Sequence, residues 1–281
     1  MIGFRLSSLP AVVAALLLAS GAGAGEAPAE RGKYLVEIGI CRGCHLQDLA
    51  GGRRTGGNIS ANITPDRETG IGAWTDEQII EAVRNGMRPD GSRVRPSMGV
   101  YWYHDLSDTD VRAIIAYLRS VPPVRKKHER SAEPGRLPAL RPRVETVPDV
   151  PRSDKAAYGY YLASAVSHCM TCHTPRTRGQ AGEPDQSRLG AGGNDNNVPG
   201  GGVAISANLT PGNPNGIAKW SDDEVKRAIT KGVRPNGSQL IPVMDFSSYE
   251  HFTPEDLDAV VAFLRTLKPH PTPDPEPRPA R

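Results

Sequence analysis

The sequence predicts an all-α protein made of two similar domains in tandem. Three observations predict it. The pentapeptide Cys-x-x-Cys-His occurs twice, as Cys41-Arg42-Gly43-Cys44-His45 and Cys169-Met170-Thr171-Cys172-His173. From Asn62 onward the two halves align at a constant offset of 146 without a gap. Helix-opening signals and apolar stripes of helical spacing recur in both halves, while strand signals are sparse.

The elements follow in chain order. Arg5, the apolar residues 9–19 and the small residues Ala22-Gly23-Ala24 predict a cleavable secretory signal peptide over 1–24. The apolar run is too short for a permanent span, so an uncleaved anchor is the second reading. The first domain is expected over 25–123. A helix carrying Tyr34, Leu35 and Ile38 leads into the first Cys-x-x-Cys-His. Thr75-x-x-Gln78 is a capping box ahead of Ile79, Ile80 and Val83. Ser107-x-x-Asp110 opens a helix through Val111, Ile114, Ile115 and Leu118, which Pro122 and Pro123 stop. Residues 124–153 are expected to be a Pro-rich linker. Its basic run, Arg125-Lys126-Lys127-His128, reads as a solvated stretch or as a docking point.

The second domain is expected over 154–268. Ser221-x-x-Glu224 precedes Val225 and Ile229, and Thr253-Pro254-x-Asp256 precedes Leu257, Val260, Val261 and Leu264. The loop after the second motif is 18 residues longer than its counterpart. Its glycine clusters precede no Gly-Lys-Ser/Thr, so it is not a phosphate loop. Residues 269–281 are expected to be a disordered Pro-rich tail.

Cys-x-x-Cys-His is the attachment signature of c-type haem. Two thiols add to the haem vinyl groups, and the adjacent imidazole binds the iron from one side. The motifs use all four cysteines: Cys41, Cys44, Cys169 and Cys172. A shared zinc site would need its Cys pairs at short range. A thioredoxin-type pair would need a βαβ setting. Two disulfides would leave His45 and His173 unexplained. The expected cofactors are therefore two covalently bound haem c groups.

The repeat selects the ligand on the far face of each iron. His104 falls opposite Glu250, His251 opposite Asp105, and Met87 opposite Val233. Met170 lies inside its own motif. Only Met98 and Met244 match, each two residues after a proline. The expected iron ligands are His45 with Met98, and His173 with Met244. Trp74 and Trp220 also match, as core aromatics or as N–H donors to haem propionates. Arg88 and Arg234 match as surface residues or as propionate partners. The charge is nearly balanced, with 34 Lys plus Arg against 31 Asp plus Glu, which gives no case for nucleic-acid binding.

The run Asn62-Ile63-Thr64-Pro65-Asp66-x-Glu68-Thr69-Gly70-Ile71-Gly72-x-Trp74-Thr75 resembles the cytochrome c subunits of bacterial membrane-bound alcohol, aldehyde and gluconate dehydrogenases. Arg88-x-Asp90-Gly91-Ser92, Pro96-x-Met98 and Ala116-Tyr117-Leu118-Arg119-Ser120 extend the likeness, which covers most of both halves. The resemblance implies two tandem class I cytochrome c-like domains with His/Met haems. It also implies a periplasmic electron carrier between a dehydrogenase donor and an oxidase or cytochrome acceptor, meeting the membrane only through a partner complex. Such subunits usually carry three haem motifs, and this chain has two. Met98-Gly99 and Met244-Asp245 stand where those subunits usually have Met-Pro. Two rival readings need an open iron: a dihaem peroxidase-like enzyme and a gas-binding module.

Overall fold

The computed structural model describes residues 27–55, 58–129, 140–177, 183–198, 201–214 and 216–271. The leader expected over 1–24 lies outside the described residues, as do 130–139 of the expected linker and 272–281 of the expected tail.

Each half is a pair of crossed helices with smaller elements laid around it. In the first half, α1 (Pro28–Ile38) buries Leu35, Val36 and Ile38. It crosses α5 (Asp108–Ser120) at Gly32, where a Cβ would lie 1.9 Å from the Ala113 carbonyl oxygen. In the second half, α6 (Lys155–Tyr161) crosses α10 (Pro254–Thr266) at Gly159, where a Cβ would lie 1.8 Å from the Ala259 oxygen. Only a residue without a side chain permits either approach. Between these helices lie α2 (Cys41–His45), α3 (Asp76–Arg84) and α4 (Val100–Tyr103), then α7 (Cys169–His173), α8 (Asp222–Lys231) and α9 (Phe246–Tyr249).

The local starts obey their sequence signals. Thr75 accepts from the Gln78 N–H at 3.2 Å while the Gln78 side chain accepts from the Thr75 N–H at 2.9 Å. Ser221 and Glu224 repeat the exchange at 3.3 and 2.8 Å. Each satisfies two otherwise orphaned backbone donors. The matched arginines near the ends of α5 and α10 clamp the tryptophan turns. Arg119 donates to the carbonyls of Ile71 and Trp74, and Arg265 to those of Ile217 and Trp220.

The halves differ by one residue between helix and haem motif: Gly32 to Cys41 is nine steps, Gly159 to Cys169 is ten. The surplus residue is absorbed in a π-helical turn, Leu162–Val166, directly after α6. This is the usual structural trace of a single insertion in a helix.

The all-α expectation takes one correction. Two antiparallel hairpins are present, β1 (Arg54–Thr55) with β2 (Asn58–Ile59), and β3 (Asp195–Asn197) with β4 (Val203–Ile205). Their strands are only two or three residues long, too short for an alternation of apolar side chains to mark them in the sequence. They supply backbone partners inside the loops that follow each Cys-x-x-Cys-His.

The segment after α5 is strapped to the first domain. The Val124 carbonyl accepts from Asn62 Nδ2 at 2.7 Å, the Lys126 N–H donates to Thr69 Oγ1, and His128 Nε2 sits 2.7 Å from the Ala50 oxygen. Further on, Asn85 and Val144 exchange two hydrogen bonds, and Asp108 and Val147 do the same. His270, at the same repeat offset as Val124, caps Asn208 and Thr210 in the second domain. Proline-rich composition predicted a linker from 124 and disorder from 269. Among the described residues, those just after α5 and α10 run along their own domain, because the Asn-x-Thr side chains offer them partners.

The two domains share one hydrophobic core. Their contact is a pseudo-two-fold exchange. The Tyr34 hydroxyl donates to Asp256 Oδ2 at 2.8 Å, and the Tyr161 hydroxyl donates to Asp110 Oδ2 at 2.7 Å. Each hydroxyl also accepts from the N-cap N–H of the same partner helix, Thr253 at 3.4 Å and Ser107 at 3.3 Å. The carboxylates are buried but compensated. Arg31 forks onto Asp110 at 3.0 and 3.1 Å, while Arg152 meets Asp256 at 3.3 Å. Burial, then the neighbouring Asp256 and Asp110, push Tyr34 and Tyr161 well above the ordinary phenol range.

Candidate haem sites

Each Cys-x-x-Cys-His forms one helical turn entered from a left-handed residue, Ile40 (φ 57°) for α2 and His168 (φ 59°) for α7. None of the four cysteines is in a disulfide. Cys44 and Cys172 are exposed, while the first cysteine of each motif is enclosed. Burial pushes the Cys41 and Cys169 thiols up to about 12, against an opposing hydrogen bond from Tyr103 and Tyr249 respectively. Tyr103 and Tyr249 are themselves equivalent in the repeat.

The two histidines are oriented alike. His45 Nδ1 lies 2.7 Å from the Ala61 oxygen, and His173 Nδ1 lies 2.8 Å from the Ala207 oxygen. A carbonyl can only accept, so the ring proton resides on Nδ1 and Nε2 is the nitrogen that can face a metal. Burial lowers the His45 pKa, which favours the same neutral form.

The sequence around the carbonyls explains their placement. Asn62 Oδ1 accepts from the Thr64 N–H at 3.0 Å, and Asn208 Oδ1 accepts from the Thr210 N–H at 2.8 Å. Gly51 and Gly192, both at positive φ, let the loop after each motif approach. A Cβ at Gly51 would lie 2.3 Å from the Ala61 oxygen, and one at Gly192 would lie 2.5 Å from the Ala207 oxygen. The repeated Asn-x-Thr-Pro thus orients the histidine one layer further in.

Met98 ends a 3₁₀ turn (Pro96–Met98), and both Met98 and Met244 are half-buried against the core that also takes in Cys41 and Cys169. Each methionine follows a tight turn. Arg88 and Ser92 close the first through the Ser92 carbonyl at 2.9 Å, and Arg234 and Ser238 close the second at 2.9 Å. Arg88 Nη1 and Arg234 Nη1 also donate to the serine hydroxyls, at 3.3 and 3.4 Å. These arginines therefore shape the methionine loops. Trp74 and Trp220 are half-buried against the core.

Two thiols, an imidazole with its Nε2 lone pair unclaimed by the carbonyl and a half-buried thioether in each half make a donor set that fits c-type haem. Residues 27–118 match the family described as cytochrome C oxidase, cbb3-type, subunit III, and residues 156–268 match the family described as cytochrome c. The chain belongs to the cytochromes c, with two such domains in tandem. It carries two covalently bound haem c groups.

Relatives of this dihaem cytochrome include cytochrome c subunits of dehydrogenases. The gluconate 2-dehydrogenase cytochrome c subunit of Pantoea cypripedii is 30% identical over 270 residues, covering 87% of this chain and 60% of that protein. The alcohol dehydrogenase (quinone) cytochrome c subunit of Gluconobacter oxydans is 31% identical, covering 87% of this chain and 55% of that one. This cytochrome therefore spans a little over half the length of these relatives. A diheme cytochrome c-type protein of Cereibacter sphaeroides is 28% identical, covering 85% and 86%.

Sequence reasoning did not single out Tyr103, Tyr249, Ala61 or Ala207. The tyrosines were within its reach, since they match at the 146-residue offset. The carbonyls were not, since a backbone oxygen carries no residue signature.

Proposed function

We propose that this protein is a periplasmic dihaem electron carrier, taking electrons from a dehydrogenase-type donor toward a respiratory acceptor such as an oxidase or another cytochrome. The relatives named above support the donor class. Cys41, Cys44, Cys169 and Cys172 hold the haems covalently. His45 with Met98, and His173 with Met244, would hold the two irons. When bound, each haem supplies a one-electron iron couple, and a thioether ligand favours its reduced state.

The observation that carries this reading is the equivalence of the two sites. Both histidines commit Nδ1 to the alanine carbonyl ahead of Asn-x-Thr, and both methionines sit at the same offset on matched loops. With an imidazole and a thioether offered to each haem, the chain's task would be to enclose and position it. The leader over 1–24 supports export. Among the described residues no helix is long and apolar enough to cross a membrane.

Optical spectroscopy tests the ligand set. The oxidised protein should show the weak far-red band of a thioether bound to ferric iron. Met98→Ala and Met244→Ala should each remove about half of it and open one site to carbon monoxide. Carbon monoxide binding to the unmodified ferrous protein would instead mean an open haem, and the carrier assignment would fail.

A further inference from the structure

The two haem motifs approach each other through one aromatic contact. Tyr103 is buried in the first domain, and its ring meets that of His168 edge-on, with centroids 4.3 Å apart and planes at 72°. His168 immediately precedes Cys169. Its ring also lies over the backbone beside Met98: a Cβ on Gly99 would fall 2.5 Å from His168 Cε1. On its other side the Tyr103 hydroxyl lies beside the Cys41 sulfur, a free thiol here and a thioether sulfur once haem is attached. Cys41, Tyr103, His168 and Cys169 therefore form an unbroken line of contacts from one haem attachment point to the other.

The pseudo-two-fold does not repeat this line. Ile40 occupies the position of His168 in the first half, and its Cγ2 packs against its own Gly43. His168 is held by packing, since its Nε2 is buried with no hydrogen-bond partner among the described residues. Burial draws its pKa down to about 4, so the ring is neutral near pH 7.

We propose that Tyr103 and His168 are the crossing point for electrons between the two haem sites, a packed path of side chains across the domain boundary. The proposal rests on the electron-carrier reading. The transfer moves one electron, oxidising one iron from ferrous to ferric and reducing the other from ferric to ferrous. No proton moves, and no bond changes at either side chain.

The test uses the full-length dihaem protein and His168→Ile, which installs the residue of the first half. Haem content is measured first. Wild-type protein with fewer than two haems would overturn the carrier reading and leave the crossing point without a subject. The iron–iron separation is then read by pulsed electron paramagnetic resonance, and exchange between haems is followed after flash reduction. H168I should slow exchange between the haems, with the separation unchanged. Tyr103→Leu gives the same readout from the other side should H168I fail to accumulate, and Tyr103→Phe, which keeps the ring against His168 but deletes the hydroxyl at Cys41, should slow exchange less than Tyr103→Leu. Unchanged exchange in both H168I and Y103L overturns the proposal. So does slowing that is fully accounted for by a wider iron–iron separation, which would make the pair a spacer and not a path.

Discussion

Replacing Tyr34 by phenylalanine should weaken the domain contact more than the symmetric change at Tyr161. Both substitutions keep the ring and delete one hydroxyl that donates to a buried carboxylate. A hydrogen bond to a charged group contributes about 1.5–3 kcal/mol, and the cost rises when the charge left behind is poorly paired. The two carboxylates differ in that respect. Asp110 keeps both prongs of Arg31, at 3.0 and 3.1 Å, after Tyr161 is lost. Asp256 is 1% exposed and keeps weaker partners after Tyr34 is lost: Arg152 at 3.3 Å, the Tyr158 hydroxyl at 3.5 Å and Arg31 at 3.9 Å. Tyr34→Phe should therefore cost about 3 kcal/mol and Tyr161→Phe about 1.5 kcal/mol. Denaturant titration of the dihaem protein, followed by tyrosine and tryptophan fluorescence, measures both. A Tyr161→Phe cost equal to or above that of Tyr34→Phe would refute the pairing argument. A loss below about 0.5 kcal/mol in both would refute the idea that the latches hold the domains together.

Three further outcomes follow from the packing. Gly32→Ala and Gly159→Ala each place a methyl within 2 Å of a carbonyl oxygen on the crossing helix, so each should cost about 3 kcal/mol, or more if the helices cannot separate; a thermal shift of under a few degrees would contradict the crossing geometry. Arg84 is fully buried and faces Asp108 at 2.6 Å, outside hydrogen-bond angles, with Nε and Nη2 unpartnered among the described residues. Arg84→Met should be neutral or stabilising, whereas Asp108→Ala should cost about 3 kcal/mol by stranding a buried charge, and denaturant midpoints of the two variants would expose the reverse order. Tyr34, Tyr158 and Tyr161 all have pKa values raised above 10.0 in the folded state, mainly by burial. Their contribution to stability is present in full below about pH 10 and is lost as pH rises beyond it. Melting temperature should fall steeply on that alkaline side, and a flat profile there would mean the phenols are not enclosed.

The haem chemistry, the repeat and the helix starts were all legible before any fold was known. Cys-x-x-Cys-His is a local motif whose spacing is its function. Thr75, Ser107, Ser221 and Thr253 cap helices through atoms three residues away. Such short-range features survive in a linear reading. The methionine assignment was also available, because an internal repeat acts as its own alignment.

What tertiary structure alone decided lies at longer range. The segments after Val121 and Leu267 read as linker and tail because prolines discourage helix and strand. Their attachment depends on Asn62 and Asn208, about 60 positions earlier. The hairpins were hidden because strands this short carry no apolar alternation. The Tyr34–Asp256 pair joins residues 222 apart, and Tyr103 meets His168 across the domain boundary. The sequence determined the Cys-x-x-Cys-His candidates for each haem, since that motif is written within five consecutive positions. The folded chain determined how the two haem sites face one another, since a contact between distant side chains exists only once burial and helix crossing have brought them together.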